Sequence, residues 1–334
     1  MLGAGLLGLA QLALAFSGVE SVRYFGGWRL AKKFEVARAL GPLEILALGP
    51  SHVDTGFDAE LLTRQTGLLA CNFGVGSTDL YVQSVLLRDV LIPLLEPRTI
   101  LWGLLDKPFL TLPQSLQYRD APVLARAGLP FAHRVVDLES RLAYEKKRRL
   151  GEWLDVFGAR AESVIDRHGQ TELTDSLADP ARAAAGDGAA EEAEPAPALA
   201  EREALAEEAY QAFEQALEAA RASGIRVFGV LMPHHASAFA RGSGYRARAF
   251  LPQFAGFRQR TVRILEAHGA TFVNLRFCAG LSEDDTLFSD YQHLNARGAA
   301  AFSALLVPLV RGQPVPGEWT QLVTADERLA FESR

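Results

Sequence analysis

The sequence predicts an α/β fold, a three-layer α/β/α sandwich around a parallel sheet of about five strands. Three observations lead there. Short continuous apolar runs ended by glycine or proline recur through the first hundred residues, as strands buried on both faces require. Each run is followed by a stretch with helical spacing of its apolar residues, the alternation of right-handed βαβ units. The same alternation returns beyond residue 202, after a long irregular middle.

Residues 43–48, LEILAL, read as the first buried strand, stopped by Gly49 and Pro50 with Ser51 at the corner. Asp58 to Gln65 reads as a short helix. LLACNFGVG at 68–76 reads as a second strand ending in glycines. The next stretch repeats Leu80, Val82, Val85, Leu86, Val90 and Leu91 at helical spacing, with Ser77 or Thr78 as the expected N-cap. RTILWGLL at 98–105 is the third strand. From Asp106 to about Gly169 scattered apolar residues and the basic run at 145–149 read as helices and loops capping the sheet.

Residues 179–203 are Ala/Glu/Pro-rich without an aromatic residue, and are expected to form a flexible insertion. A helix at 202–224 ends at Gly224. Then come a strand, IRVFGVLMP, a helix over 246–268, a last strand ATFVNL, and a closing helix in NARGAAAFSALLVPLV. Strand and helix order on both sides of the insertion implies one domain over residues 40–312, followed by a tail at 313–334.

The N-terminus is a separate unit. Met1 to Phe16 is apolar apart from Gln11, shorter than the roughly 17–25 residues of a membrane span. Residues 1–22 are therefore expected to form an apolar helix acting as a signal or membrane anchor, with Ala13 to Ala15 as a cleavage site. Arg23, Arg29, Lys32 and Lys33 follow this run, which is the wrong asymmetry for export. The expected location is extracytoplasmic, anchored or secreted; a buried N-terminal helix in a cytoplasmic protein is the alternative.

Composition excludes some functions. With 34 basic and 40 acidic residues the net charge is −6, which offers no field for nucleic acid. Cys71 and Cys278 stand far apart, without a CxxC or His-rich neighbourhood, so neither a zinc site nor a disulfide framework is indicated.

The chemistry-bearing residues converge. A hydroxyl at the end of a buried strand, as at Ser51, can be a nucleophile among backbone N–H groups or a plain helix N-cap. His293 stands three residues after Asp290 in DYQHLNARG, and such a carboxylate can fix the imidazole tautomer, leaving the other nitrogen to a nucleophile. Ser51, Gly76 and the Asp290–His293 pair all follow the carboxyl ends of proposed strands, the edge where open α/β sheets bind ligands. His234 and His235 follow Pro233 at the end of the fourth strand, so at least one should project over that edge, to touch substrate or to hydrogen-bond backbone. His52 neighbours the serine with its side chain expected to point away, as rim contact or packing. A metal site from His234, His235 and His293 lacks a carboxylate pattern, and no metal is expected. Asp54 reads as a turn cap, Asp79 as a helix N-terminal charge and Trp102 as core.

The ordered blocks GPSH, NFGVGST and DYQHLNARG resemble the SGNH, or GDSL-like, superfamily of hydrolases and acyltransferases, over roughly residues 43–105 and 225–310. The resemblance implies Ser51 as nucleophile, His293 as general base and Asp290 as its orienting partner. The N–H groups of Ser51 and Gly76 would form the oxyanion hole, each such donor contributing roughly 2.7–4 kcal/mol. It implies no cofactor. Two departures stand out: Pro50 and His52 replace the family's usual neighbours of the serine, and LWGLLDKPF offers no asparagine after the third strand. Asp106, near that position, would repel an oxyanion if ionised.

Branches of the superfamily with similar losses resemble envelope-polysaccharide O-acyltransferases and acetylesterases that work beside a membrane-bound O-acyltransferase. The implied function is a serine-dependent acyl-ester hydrolase or O-acyltransferase acting on an acylated carbohydrate or acyl donor of the cell envelope. The competing reading is a catalytically degenerate binding module that partners a membrane-bound O-acyltransferase.

Overall fold

A computed structural model describes residues 27–76, 78–106, 108, 166–171, 173, 176–178, 199–240 and 252–333. The expected anchor at 1–22 and the basic run at 145–149 lie outside the described residues, as does most of the insertion at 179–203. Among the described residues no helix is long and apolar enough to cross a membrane.

Five apolar segments pair as one parallel sheet: β1 (Ile45–Gly49), β2 (Ala70–Gly74), β3 (Thr99–Leu104), β4 (Arg226–Leu231) and β5 (Thr271–Asn274). The order is β2-β1-β3-β4-β5. Ile45 pairs with both Ala70 and Thr99, Thr99 with Arg226, and Phe228 with Thr271. The chain reverses its direction of winding between β1 and β3, and the carboxyl end of β1 is where open α/β sheets of this order bind ligands.

The nine helices of the described residues are α1 (Gly27–Leu40), α2 (Ser51–Gly56), α3 (Ala59–Thr66), α4 (Leu80–Leu86), α5 (Ile92–Leu95), α6 (Leu199–Ala222), α7 (Pro252–Ala267), α8 (Ala296–Val310) and α9 (Ala325–Ser333). Alternation along each strand sends side chains to opposite faces. Leu46, Phe73, Ile100, Trp102 and Phe272 pack with α1, α4, α6 and α7, including Phe34, Leu86, Phe213 and Leu265. Ile45, Leu101, Phe228 and Val273 pack with α2, α3 and α8, including Val53, Leu62, Phe302 and Leu306. Helices thus cover both faces, and Trp102 is core: its Nε1 donates to Gln83 Oε1 at 2.8 Å.

Three local expectations are corrected. The cap of α4 is Asp79, which accepts from Val82 N at 3.1 Å; Thr78 does not cap because its hydroxyl donates to Val75 O at 2.7 Å. The helix expected from the spacing of Leu80 to Leu91 is interrupted by a π-helical stretch at Leu87–Leu91 before α5. Pro93, with no N–H and a ring that crowds the carbonyl four residues back, stands just after that widened stretch. Residues 199–203, expected in the flexible insertion, form the first turn of α6, as good helix formers beside a long apolar stripe allow.

The chain end is tied to the sheet. Glu327 of α9 is buried, accepting from Asn274 Nδ2 at 2.9 Å and lying 3.1 Å from Arg258 Nη1.

Candidate active site

Ser51 opens the short helix α2, and Pro50 is its N-cap without a side-chain cap bond. The serine hydroxyl is therefore not spent on the helix. Two features press α2 onto the sheet. Gly74 and Gly103 leave room for it: a Cβ on Gly74 would lie 2.2 Å from Asp54 N, and one on Gly103 would lie 2.1 Å from Val53 Cγ2. Asn72, wholly buried in β2, donates from Nδ2 to Val53 O at 2.7 Å and Phe57 O at 2.8 Å, and its Oδ1 accepts from Gly74 N at 2.8 Å. Sequence reasoning did not single out Asn72, although a polar residue inside an apolar strand is a visible signal.

The loop before α8 brings the second group. Phe288 bridges to Leu294, and Asn295 caps α8 by accepting from Gly298 N at 3.1 Å. Between them, Asp290 Oδ1 accepts from the N–H groups of Gln292 and His293, each at 2.8 Å. His293 Nδ1 lies 2.8 Å from Asp290 Oδ2 and 3.0 Å from Oδ1, and His293 Nε2 lies 2.8 Å from Ser51 Oγ. Burial would raise the Asp290 carboxyl, but the His293 hydrogen bond and charge, with the two backbone donors, hold it down at about 2. An ionised Asp290 accepts a hydrogen bond from Nδ1–H, which leaves Nε2 free of a proton and able to accept a hydrogen bond from the Ser51 hydroxyl.

Gly76 lies beside the serine, since a Cβ built on it would sit 3.7 Å from Ser51 Cβ. Its loop is braced by Thr78, whose carbonyl accepts from Gln83 Nε2 at 3.0 Å. Among the described residues, neither the Ser51 nor the Gly76 N–H donates to a protein acceptor.

The three remaining candidates divide. The His52 ring, expected to turn away, instead stacks on His293 at 5.1 Å and 16°. On its other side it stacks on His234 at 5.4 Å and 17°. His52 Nε2 lies 3.2 Å from Gln292 Oε1. Burial first, then the charges of His293 and Arg276, push His52 down to about 3; burial and the Arg276 charge push His234 well below the usual range. His235 faces elsewhere: its Nδ1 lies 2.9 Å from Ser237 Oγ and its Nε2 lies 2.8 Å from Asp285 Oδ1. That ring braces two loops rather than joining the stack.

Asp106 follows β3, as expected, but it meets two arginines. Arg276 Nη2 lies 2.9 Å from Asp106 Oδ2, and Arg258 Nη2 lies 2.7 Å from Asp106 Oδ1. Burial opposes ionisation of Asp106, yet the Arg276 and Arg258 charges hold its carboxyl far below the usual range. Its negative charge is thus neutralised locally. Arg276 had no signal in the sequence beyond its place after the last strand. Among the described residues no cluster of His, Cys, Asp and Glu could hold a metal ion.

No family model and no curated protein matches the chain. Among solved structures, the crystal structure of a candidate acylhydrolase from Bacteroides fragilis is similar at 12% identity, over 85% of this chain and 97% of that one, with a TM-score of 0.39. A likeness this slight carries no weight for fold or chemistry.

Proposed function

We propose that this chain is a serine-dependent acyl-ester hydrolase or O-acyltransferase of the SGNH kind, with Ser51 as nucleophile. One observation carries the reading: the Ser51 alcohol meets an imidazole 242 residues further along the chain, itself paired with a carboxylate, through contacts of 2.8 Å each.

An alcohol is a weak nucleophile near neutral pH unless a base takes its proton as it attacks. In the proposed reaction His293 Nε2 takes the Ser51 proton while Oγ bonds to the acyl carbon. The tetrahedral oxyanion is received by the N–H groups of Ser51 and Gly76, the donors left without protein acceptors among the described residues. His293 then returns the proton to the leaving alcohol oxygen as that bond breaks, leaving an ester on Ser51. Water or a sugar hydroxyl attacks this ester, giving its proton to the same nitrogen, which passes it to Ser51 Oγ as the bond between Oγ and the acyl carbon breaks. The carbohydrate acceptor, the envelope location and a membrane-bound acyltransferase partner belong to this proposal through the sequence resemblance. Asp106 is assigned a structural role, so the third donor usual after β3 is absent from the scheme.

Labelling with a fluorophosphonate tests the reading. The wild-type protein should be modified at Ser51 and Ser51→Ala should not. A wild type that is neither labelled nor able to cleave an acetylated aryl ester would leave the binding-module reading standing.

A further inference from the structure

We propose that His52 is a positioning residue for the general base: its flat ring, backed by His234 and Arg276, lies against the face of His293 and keeps Nε2 aimed at Ser51 Oγ. The proposal rests on the reading of His293 as that base.

The carboxylate of Asp290 grips His293 along one edge of the ring, at Nδ1. An edge contact fixes the tautomer but leaves the plane of the ring free to tilt about that edge. The face is held by His52, nearly parallel at 16° and with centroids 5.1 Å apart. His52 cannot recede, because His234 lies flat on its other side at 5.4 Å. His234 in turn meets Arg276, whose Nη1 lies 2.8 Å from its Nδ1 and 3.2 Å from its Nε2 and donates to Met232 O at 3.3 Å. Asp106 holds that guanidinium from behind at 2.9 Å. The stack ends on a fixed charge pair.

A second grip sets the register. Consecutive residues Ser51 and His52 hold consecutive residues His293 and Gln292, at 2.8 Å and 3.2 Å respectively. The nucleophile helix and the histidine loop therefore meet through two parallel contacts. Two contacts prevent the rotation that one would permit.

The stack also has the right charge. A guanidinium only donates, so the His234 nitrogen facing Arg276 carries no proton and that ring is neutral. Arg276 and Asp106 face the stack from its far end and Asp290 from its near end. When His293 becomes imidazolium, its neighbour is a neutral π face within about 6 Å, an attractive arrangement rather than a like-charge contact.

The test uses the full chain with His52→Phe, His52→Leu and His52→Ala. Fluorophosphonate reaction is resolved into its limiting rate and its half-saturating concentration, and proton NMR follows the deshielded Nδ1 proton shared by His293 and Asp290. The expected result is a limiting rate lowered about ten- to a hundred-fold in Leu and Ala, with half-saturation unchanged, the Nδ1 resonance broadened away, and both recovered in large part in Phe, which restores the flat face and lacks the Gln292 contact. Leu fills the pocket and keeps the test open if Ala fails to fold. Leu reacting like wild type overturns the proposal, as does Phe reacting as slowly as Leu, since a flat face would then not be what matters. If the wild type is not labelled at all, the serine-enzyme reading fails, while the Nδ1 resonance across the three variants still decides whether His52 positions His293.

Discussion

Lys33 Nζ lies 2.6 Å from Asp54 Oδ1, and neither side chain is exposed to solvent. The pair joins α1 to α2 around the outer edge of β2. Lys33 Nζ also donates to Gly169 O, and lies 3.3 Å from Asn72 O, while Asp54 Oδ1 accepts from Thr171 Oγ1 at 2.6 Å. Segment 166–171 completes the edge, with Asn72 N donating to His168 O at 2.7 Å. An edge strand that would otherwise expose unpaired backbone groups is thus closed.

Breaking a buried pair strands a charge, which costs more than the pair contributes. Lys33→Met should lower unfolding free energy by about 3–5 kcal/mol in urea titrations. Adding Asp54→Asn, which removes the stranded charge and keeps an acceptor for Thr171, should recover part of that loss. A double variant no more stable than the single one would contradict the account.

Asn72 fastens α2 to β2 through the carbonyls of Val53 and Phe57, and its Oδ1 accepts from Gly74 N within β2. In Asn72→Leu these groups lose their partner in a dry interior, at about 1–3 kcal/mol each before relaxation. Stability should fall by more than about 2 kcal/mol, and the phosphonate reaction should slow at saturating reagent because Ser51 is displaced. Calorimetry and labelling rates on one sample check both.

The Asp290 carboxyl drops from an ordinary 3.8 to about 2 in the folded chain. A depressed folded value gives stability that is present above the unfolded value and lost as pH falls through the folded one. The stability advantage of wild type over Asp290→Asn should therefore hold near pH 6 and shrink between about pH 4 and about pH 2. Urea unfolding of both proteins across that range measures it. In the proposed chemistry the same variant presents the wrong tautomer of His293, with turnover reduced about 10⁴-fold.

Asp106 neutralises Arg276 and Arg258 together. Asp106→Asn should cost about 3 kcal/mol or more, because the buried Arg276 guanidinium loses its carboxylate partner, while Arg258 keeps Glu327. It should also loosen the Arg276 that backs the imidazole stack, which histidine NMR would register as altered His234 resonances. An Asp106→Asn protein as stable as wild type would remove Asp106 from its structural role.

Much of the architecture was legible because its signals are local. The apolar run before Gly49 and the Asn295 cap of α8 depend on neighbours within a few residues, and secondary structure responds to that spacing. Even so, Asp79 rather than Thr78 caps α4, since Thr78 is drawn to Val75 O by the turn that presents Gly76. The histidines show the limit more sharply: His52, His234 and His235 look alike in the sequence. Two join one stack and the third turns to Asp285.

By itself, the sequence determined an alternating α/β chain and the order of Ser51, Asp290 and His293 along it. Only the tertiary structure decided that Ser51 and His293 meet across 242 residues, that Arg276 reaches Asp106 across 170, and that Lys33 is buried against Asp54. The physical reason is that apolar burial is non-directional and can be read from spacing, whereas a buried charge or hydrogen bond needs one partner at one distance. Which partner arrives is set by the strand order that brings the ends of β1, β3, β4 and β5 side by side.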